Sequence, residues 1–191
     1  NVEAAFEAVR YLVGLGHRAI GVITGPEGDQ TISPRRLEGV RLAGRVLGLP
    51  EEALPTADGD YSLDSGYEAA CALLDQHPDL TAFFAFSDTM AIGALQALRD
   101  RGVPVPGRVS VMGFDDIPEA VLVSPRLTTV AQPVADMARE AAELLLAQMT
   151  GQDPGPLKRV LPYRIVVRES TAPPGGGGAG PGGGVAAGAD A

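Results

Sequence analysis

The stretch VSVMGFDD, residues 109–116, decides the fold class of this sequence. It is an apolar run of strand length that stops at a glycine and delivers two carboxylates, Asp115 and Asp116. A buried parallel strand is typically such a run, and in open α/β sheets ligands bind just outside the carboxyl ends of the strands. Asp115 is therefore the first candidate for a ligand contact. The alternative is that both aspartates only cap the next turn, because Asp side chains readily bond nearby backbone N–H groups.

Other apolar runs of the chain also end at polar turns, and segments of helical periodicity alternate with them. The resulting order is α, β, α, β, α, β, α, β, β, α, β with short connections. Such alternation predicts an α/β protein with an open parallel sheet flanked by helices on both faces. Besides the opening stretch, the predicted strands cover residues 18–24, 54–57, 81–86, 127–131 and 160–167, and the last helix covers residues 134–150.

Composition limits the classes of function. The 191 residues are 45% hydrophobic and 20% charged, which is typical of one globular domain. A formal net charge of -9 argues against direct binding of a phosphate backbone and favours a small-molecule partner. No run approaches the roughly 20 apolar residues of a membrane span, so no membrane partner is expected. The lone cysteine, Cys71, excludes a disulfide framework and favours a reducing compartment.

The strand ends together carry one guanidinium, several carboxylates, a hydroxyl and an aromatic ring. Arg36 lies in the first turn of a predicted helix, where the helix dipole disfavours a cation, and this local conflict points to a function. Arginine and carboxylates bind vicinal hydroxyls, and a ring covers the apolar face of a sugar. A nucleophile–base pair, a metal cluster and a phosphate-binding loop are missing from the sequence, so we expect neither catalysis nor a cofactor or metal. The set comprises Arg36, Asp60, Tyr61, Ser87, Asp88, Asp115 and Asp116.

Six segments in succession resemble the signatures of the LacI/GalR family of bacterial transcriptional regulators. They are GHRAIGVITGP, RRLEGVRLA, GDYSLDSGYEAA, the long segment from TAFFAFSDTM to VSVMGFDD, SPRLTTVAQP and RIVVRES. The resemblance covers nearly all of residues 1–171. It implies a periplasmic-binding-protein-like pair of α/β subdomains that close on an effector, behind a helix-turn-helix headpiece and a hinge helix that bind operator DNA.

The resemblance also implies roles for individual residues. Arg36 matches the arginine that grips effector hydroxyls or carboxylates, and Asp115 matches the aspartate that faces it. Tyr61 matches the aromatic position on the ligand ring. Ser87, followed by Asp88, stands where sugar-responsive members often have asparagine. Gln132 matches a polar residue at a crossover between the subdomains. The implied ligand-binding set therefore comprises Arg36, Tyr61, Ser87, Asp88, Asp115 and Gln132.

The same resemblance implies a domain plan. Residues 1–171 form the effector-binding domain, in which residues 1–132 are the core of the C-terminal subdomain and residues 157–171 contain the final strand. The helix at 133–150 belongs to the other subdomain in the family. We expect that subdomain to be largely missing, together with the headpiece, which leaves this helix mobile, docked elsewhere or in contact with a partner chain. Residues 172–191, rich in Gly, Ala and Pro, are predicted to be a disordered tail.

The sequence therefore predicts the effector-sensing domain of a cytoplasmic LacI-type regulator. It would bind a sugar-like molecule, form a homodimer to which the helix after Asp88 contributes, and contact operator DNA only through the headpiece. The alternative is a periplasmic sugar-binding protein that serves a transporter and shares the fold. A third interpretation, an enzyme that uses Asp115 or Asp88 as a base, lacks a reacting partner in the sequence.

Overall fold

The computed structural model describes residues 1–153 and 155–175 and contains a six-stranded sheet with the order β2-β1-β3-β4-β5-β6. The strands are β1 (Ile20–Thr24), β2 (Thr56–Asp58), β3 (Ala82–Ala85), β4 (Ser110–Asp115), β5 (Thr128–Ala131) and β6 (Arg164–Val166). The helices are α1 (Val2–Gly14), α2 (Ser33–Leu47), α3 (Leu63–Gln76), α4 (Asp88–Asp100) and α5 (Val134–Met149).

The predicted α/β class with a mostly parallel sheet is confirmed, and one strand differs in direction. Strands β1 to β5 pair in parallel, whereas β6 is antiparallel to β5. The chain passes from β1 outward to β2 and then returns to β3 on the other side of β1. At such a reversal the loops after the two central strands diverge and leave a crevice at the carboxyl edge of the sheet. The candidate site lies at this edge.

Glycines let the helices pack closely in pairs on the two faces of the sheet. Helices α1 and α2 pack together, and so do α3 and α4. A Cβ at Gly39 of α2 would lie 2.1 Å from the Val2 carbonyl oxygen of α1. A Cβ at Gly93 of α4 would lie 2.1 Å from the Leu63 carbonyl oxygen of α3. Because a side chain has no room there, these positions fix how closely each helix pair approaches.

Strand β4 corrects one detail of the sequence analysis. The stretch VSVMGFDD was expected to stop as a strand at Gly113, but β4 continues through this glycine to Asp115. A glycine is required within the strand for a steric reason, because a Cβ at position 113 would lie 2.2 Å from Asp88 Oδ1. Gly113 therefore makes room for a buried carboxylate and does not end the strand.

Helix α5 differs from the other four helices because none of its residues is buried. Leu145 and Leu146 remain 58% and 59% exposed, and Met149 is 74% exposed. The assignment of this helix to the other subdomain stays a prediction. Whether it is mobile or contacts a partner chain stays a prediction. None of the helices in the described ranges is both long and apolar enough to cross a membrane.

The segment that follows β6 is bound to the amino-terminal ends of the strands. The Val111 N–H donates to the Ser170 carbonyl oxygen at 2.7 Å, and the Ser110 Oγ accepts from the Ala172 N–H at 3.0 Å. His17, which is 1% exposed, lies 3.0 Å from the Ala172 carbonyl oxygen and 2.9 Å from Thr81 Oγ1. The predicted tail was placed from residue 172 onward, but Ala172 is bonded into the domain. Residues 176–191 of that tail lie outside the described residues.

Candidate functional site

Arg36 forms the buried centre of the polar cluster at the carboxyl edge of the sheet. Only 4% of it is exposed, and its Cζ lies 3.7 Å from the centroid of the Phe114 ring. Nε donates to Asn1 Oδ1 at 3.0 Å, and Nη1 donates to the Phe86 carbonyl oxygen. Nη2 faces Asp115 Oδ1 at 3.5 Å, a longer contact than the other two. The contacts with Asn1, Phe86 and Phe114 thus fix the guanidinium with Nη2 turned toward Asp115.

Asp115 faces Arg36 and is also bound by Gln132. Gln132 Nε2 donates to Asp115 Oδ1 at 2.6 Å, which joins the end of β4 to the residue after β5. Burial raises the pKa of Asp115, and the nearby Arg36 charge opposes that rise. The side chain is still 30% exposed, so its second oxygen can accept hydrogen bonds from a ligand.

The turn after β4 has an uncommon backbone. Asp115 and Asp116 are consecutive non-glycine residues with positive φ angles, of 123° and 63°. Asp116 accepts from Arg168 Nη2 at 2.5 Å, and Arg168 Nη1 donates to the Leu127 carbonyl oxygen at 2.8 Å. Residues with side chains adopt such conformations only where their surroundings hold them. Here the segment after β6 supplies one of the holding contacts.

Tyr61 lies beside the loop that leads into α2. Its hydroxyl donates to Asp29 Oδ2 at 3.1 Å, and burial together with this carboxylate raises the pKa of Tyr61 to about 12. A Cβ at Gly25 would lie 2.2 Å from the Tyr61 hydroxyl, so the ring packs directly on the loop backbone. Asp29 also accepts from the Ser33 N–H at 2.8 Å and thereby caps α2. Its negative charge offsets the unfavourable placement of Arg36 near the helix start.

Ser87 and Asp88 lie at the start of α4, and only Ser87 remains a candidate for ligand contact. Ser87 caps the helix by accepting from the Met90 N–H at 3.2 Å and is 6% exposed, at the end of β3. Asp88 is 0% exposed, and its two oxygens accept from Thr129 Oγ1 and from the Ile117 N–H. The expectation that Asp88 contacts a ligand is therefore corrected, since no ligand can reach a side chain that is fully enclosed and bonded.

Burial gives Asp88 a measurable effect on stability. Loss of hydration raises the pKa of Asp88 to about 6 from an ordinary value of 3.8. The folded state therefore binds this proton more tightly than the unfolded state. The stabilisation is complete below about pH 3.8 and is lost as the pH rises through about 6.

Relative to Asp88→Asn, the free energy of unfolding of the wild-type protein is expected to fall by about 2 to 3 kcal/mol between pH 4 and pH 7. Urea unfolding of both proteins at the two pH values measures this change. Because other titrating groups are common to both proteins, the difference between them isolates Asp88. A difference that stays constant with pH would contradict the expectation.

The structure brings together Arg36, Asp115 and Gln132 and places Tyr61 and Ser87 at the same edge of the sheet. Within the described residues, no cluster of three or more His, Cys, Asp or Glu side chains is arranged to hold a metal ion. A groove of about 360 Å³ starts beside Phe114 and Gln132 and runs toward α5. The arrangement pairs a fixed donor with a fixed acceptor, which suits recognition of hydroxyl groups.

Sequence reasoning missed four residues that shape this site. Asn1 and Phe114 hold Arg36, and Arg168 holds the Asp116 carboxylate. Asp29 was also missed, although an acidic residue shortly before a helix start is a recognisable capping signal. Phe114 and Arg168 gave no such local signal, because their roles depend on contacts between segments distant in the sequence.

Comparisons with known proteins agree with this architecture. The family model described as "Periplasmic binding protein-like domain" matches residues 9–171. The HTH-type transcriptional repressor CytR of Escherichia coli (strain K12) is 41% identical over 171 residues, which are 90% of this chain and 50% of CytR. The HTH-type transcriptional regulator CelR of Thermobifida fusca is 39% identical over 170 residues, which are 89% of this chain and 50% of CelR. The chain thus spans about half the length of these relatives.

Solved structures give the same picture. A transcriptional regulator CelR–cellobiose complex superposes with a TM-score of 0.82 at 39% identity and covers 88% of this chain and 51% of its own. A LacI family transcriptional regulator from Enterococcus faecium with bound ribose gives a TM-score of 0.79 at 30% identity and covers 90% of this chain and 63% of its own. The proteins that resemble this chain are thus regulators by name, and two of them were solved with sugars bound.

Proposed function

This chain belongs to the periplasmic-binding-protein-like family in the branch of LacI-type transcriptional regulators, and on that premise we propose that it senses a neutral sugar. The observation that carries the proposal is the pairing of the buried Arg36 with the partly exposed Asp115 at the carboxyl edge of the sheet. Arg36 offers a fixed donor and Asp115 a fixed acceptor to neighbouring hydroxyl groups of the sugar. Tyr61 supplies an aromatic ring at the same edge.

The charges around the site favour a neutral ligand over an anion. Arg36 is the cation at the centre of the polar cluster, and the Asp115 carboxylate faces it. Arg168 is paired with Asp116, and Asp29 adds a further carboxylate beside Tyr61. An anionic effector would therefore meet a site without surplus positive charge, whereas a polyol needs only donors and acceptors.

Regulation is proposed to follow from a shift between two arrangements of the whole protein. An effector that binds one arrangement more tightly changes its population and thereby the affinity for operator DNA. The DNA contact itself is assigned to a helix-turn-helix outside residues 1–191, as in the HTH-type relatives. We place this regulator in the cytoplasm, where its DNA is, and propose no catalytic activity.

A homodimer is proposed as the functional unit, with the start of α4 contributing to the contact. Leu63 of α3 lies directly beside Gly93 of α4 and is 37% exposed. Val121 ends the 3₁₀ helix Pro118–Val121, and it and the following Leu122 are 47% and 79% exposed. Exposed apolar side chains of this kind are the usual centre of a dimer contact.

Asp115→Asn is expected to weaken sugar binding about ten- to a hundredfold, because the asparagine cannot offer two charged acceptor oxygens. Calorimetric titration with neutral mono- and disaccharides, including cellobiose and ribose, measures the effect. Gluconate is the anionic comparison. Asp64→Asn, an exposed substitution in the first turn of α3, is the control and should bind like wild type. Binding of gluconate in preference to every neutral sugar would contradict the proposal, as would equal affinities of the Asp115→Asn variant and the wild type.

A further inference from the structure

Asp88 is the most completely enclosed charged side chain near the candidate site. It is the first residue of α4, and it is 0% exposed. Its Oδ1 accepts from Thr129 Oγ1 of β5 at 2.5 Å, and its Oδ2 accepts from the Ile117 N–H at 2.9 Å. One side chain thus joins the start of a helix, a neighbouring strand and the turn that follows β4.

The turn that Asp88 contacts is the one with the unfavourable backbone. Asp115 and Asp116 have φ angles of 123° and 63°, and Ile117 follows directly. Such conformations persist only where the surroundings hold them, and the Asp88 carboxylate is bonded to the backbone at this turn. The contact therefore acts on the geometry of the segment that carries the Asp115 carboxylate.

Strand β4 is adapted to admit this carboxylate. At Gly113 a Cβ would lie 2.2 Å from Asp88 Oδ1, 3.0 Å from Leu127 Cδ2 and 3.2 Å from the Ala91 Cβ. A buried strand position without a side chain normally weakens packing. The space that this glycine leaves is filled by an acceptor group, which indicates that the carboxylate belongs to the architecture of the strand end.

We propose that Asp88 is a positioning residue for the candidate site and that its buried carboxylate holds the turn at Asp115–Ile117, so that the Asp115 carboxylate faces Arg36. Asp115 from β4 and Arg36 from α2 are the charged groups that act on Asp88 electrostatically. A change in the charge of Asp88 therefore acts on the site through the turn and through the local field. The ligand-binding part of this inference rests on the proposed function, whereas the positioning itself does not.

Amide hydrogen exchange of the 191-residue protein, followed by NMR, tests the positioning without a ligand. In Asp88→Asn, the protection factor of the Ile117 amide is expected to fall about tenfold, because the charged acceptor is lost. Val111, in β4 and away from the turn, should change less than twofold. Thr129→Val removes only the donor to Oδ1 and should lower Ile117 protection by a smaller factor, of about threefold. Asp64→Asn is the matched control for an aspartate in the first turn of a helix.

Two results would overturn the inference. The first is unchanged protection of Ile117 in both the Asp88→Asn and the Thr129→Val variants. The second is a loss of protection spread evenly over α4 and β4, which would show an ordinary contribution to stability. If Asp88→Asn does not fold, Thr129→Val alone decides between a loss at the turn and no loss there.

Binding of cellobiose and ribose at pH 5 and pH 7.5 extends the test to the site. We expect Asp88→Asn to bind about tenfold more weakly than wild type at pH 7.5 and to lose part of the wild-type change in affinity between the two pH values. A wild-type pH profile that persists unchanged in Asp88→Asn would remove the link to the site. If neither sugar binds wild type, the proposed function is contradicted for these probes, while the exchange result still decides the positioning role.

Discussion

Replacing Gly93 with alanine is expected to lower the free energy of unfolding by about 2 to 3 kcal/mol, even though alanine is the better helix former. A Cβ at this position would lie 2.1 Å from the Leu63 carbonyl oxygen and 2.7 Å from the Tyr67 backbone nitrogen. Both are backbone atoms of α3 and cannot turn aside as the end of a flexible side chain can. The helices would have to separate, and the buried contacts between them would be lost.

Gly14 provides the matched control for this substitution. It is the last residue of α1, and a Cβ there would meet no atom within 4 Å. Gly14→Ala should therefore be neutral or stabilise the protein by about 0.5 kcal/mol through helix propensity. Urea unfolding of the two variants measures both effects. If Gly93→Ala were no less stable than Gly14→Ala, the close approach of α3 and α4 would not be a constraint.

Replacing Arg36 with methionine is expected to have the largest effect on ligand binding, a loss of about a hundredfold or more. Methionine keeps an apolar stem over the Phe114 ring but donates nothing to the Phe86 carbonyl oxygen or to Asp115. Stability should fall as well, by about 2 to 3 kcal/mol, because the substitution leaves buried acceptors without a donor. Arg35→Met, one residue away on the exposed side of α2, should change neither property.

A double substitution separates the two effects of Arg36. Arg36→Met with Asp115→Asn removes both charges and keeps at position 115 a residue that tolerates a positive φ, so stability should recover relative to Arg36→Met alone while sugar binding remains lost. Calorimetric titration with cellobiose and ribose, together with urea unfolding, measures the two quantities. Sugar binding by Arg36→Met at near wild-type affinity would show that the guanidinium does not contact the ligand.

Local signals in the sequence were sufficient for much of the fold. Ser62 and Ser87 directly precede α3 and α4 and cap them, by accepting from the Ser65 and Met90 N–H groups. Capping involves residues three apart, so a single sequence displays it directly. The alternation of helices and strands similarly predicted the mostly parallel sheet. The antiparallel direction of β6 could not be predicted, because it depends on the path of the chain around α5.

The candidate site shows where reasoning from the sequence stops. The resemblance named Arg36, Asp115 and Gln132, and these three are in contact in the structure. The resemblance also named Asp88. The Asp88 carboxylate is buried in the space beside Gly113 of β4, where any side chain would collide with it. A sequence displays that glycine but not the space beside it. Interpreting Gly113 as the end of a strand was wrong for this reason.

The segment after β6 is held to the sheet by contacts of its own. Helix α5 buries no residue, yet Arg168, Ser170 and Ala172 on its far side are bonded to the ends of the sheet. A proteolytic cut within α5 would therefore sever the chain without releasing its C-terminal piece, which hydrogen bonds and ion pairs would retain. These contacts, and not only the covalent link through α5, hold the segment after β6 to the sheet.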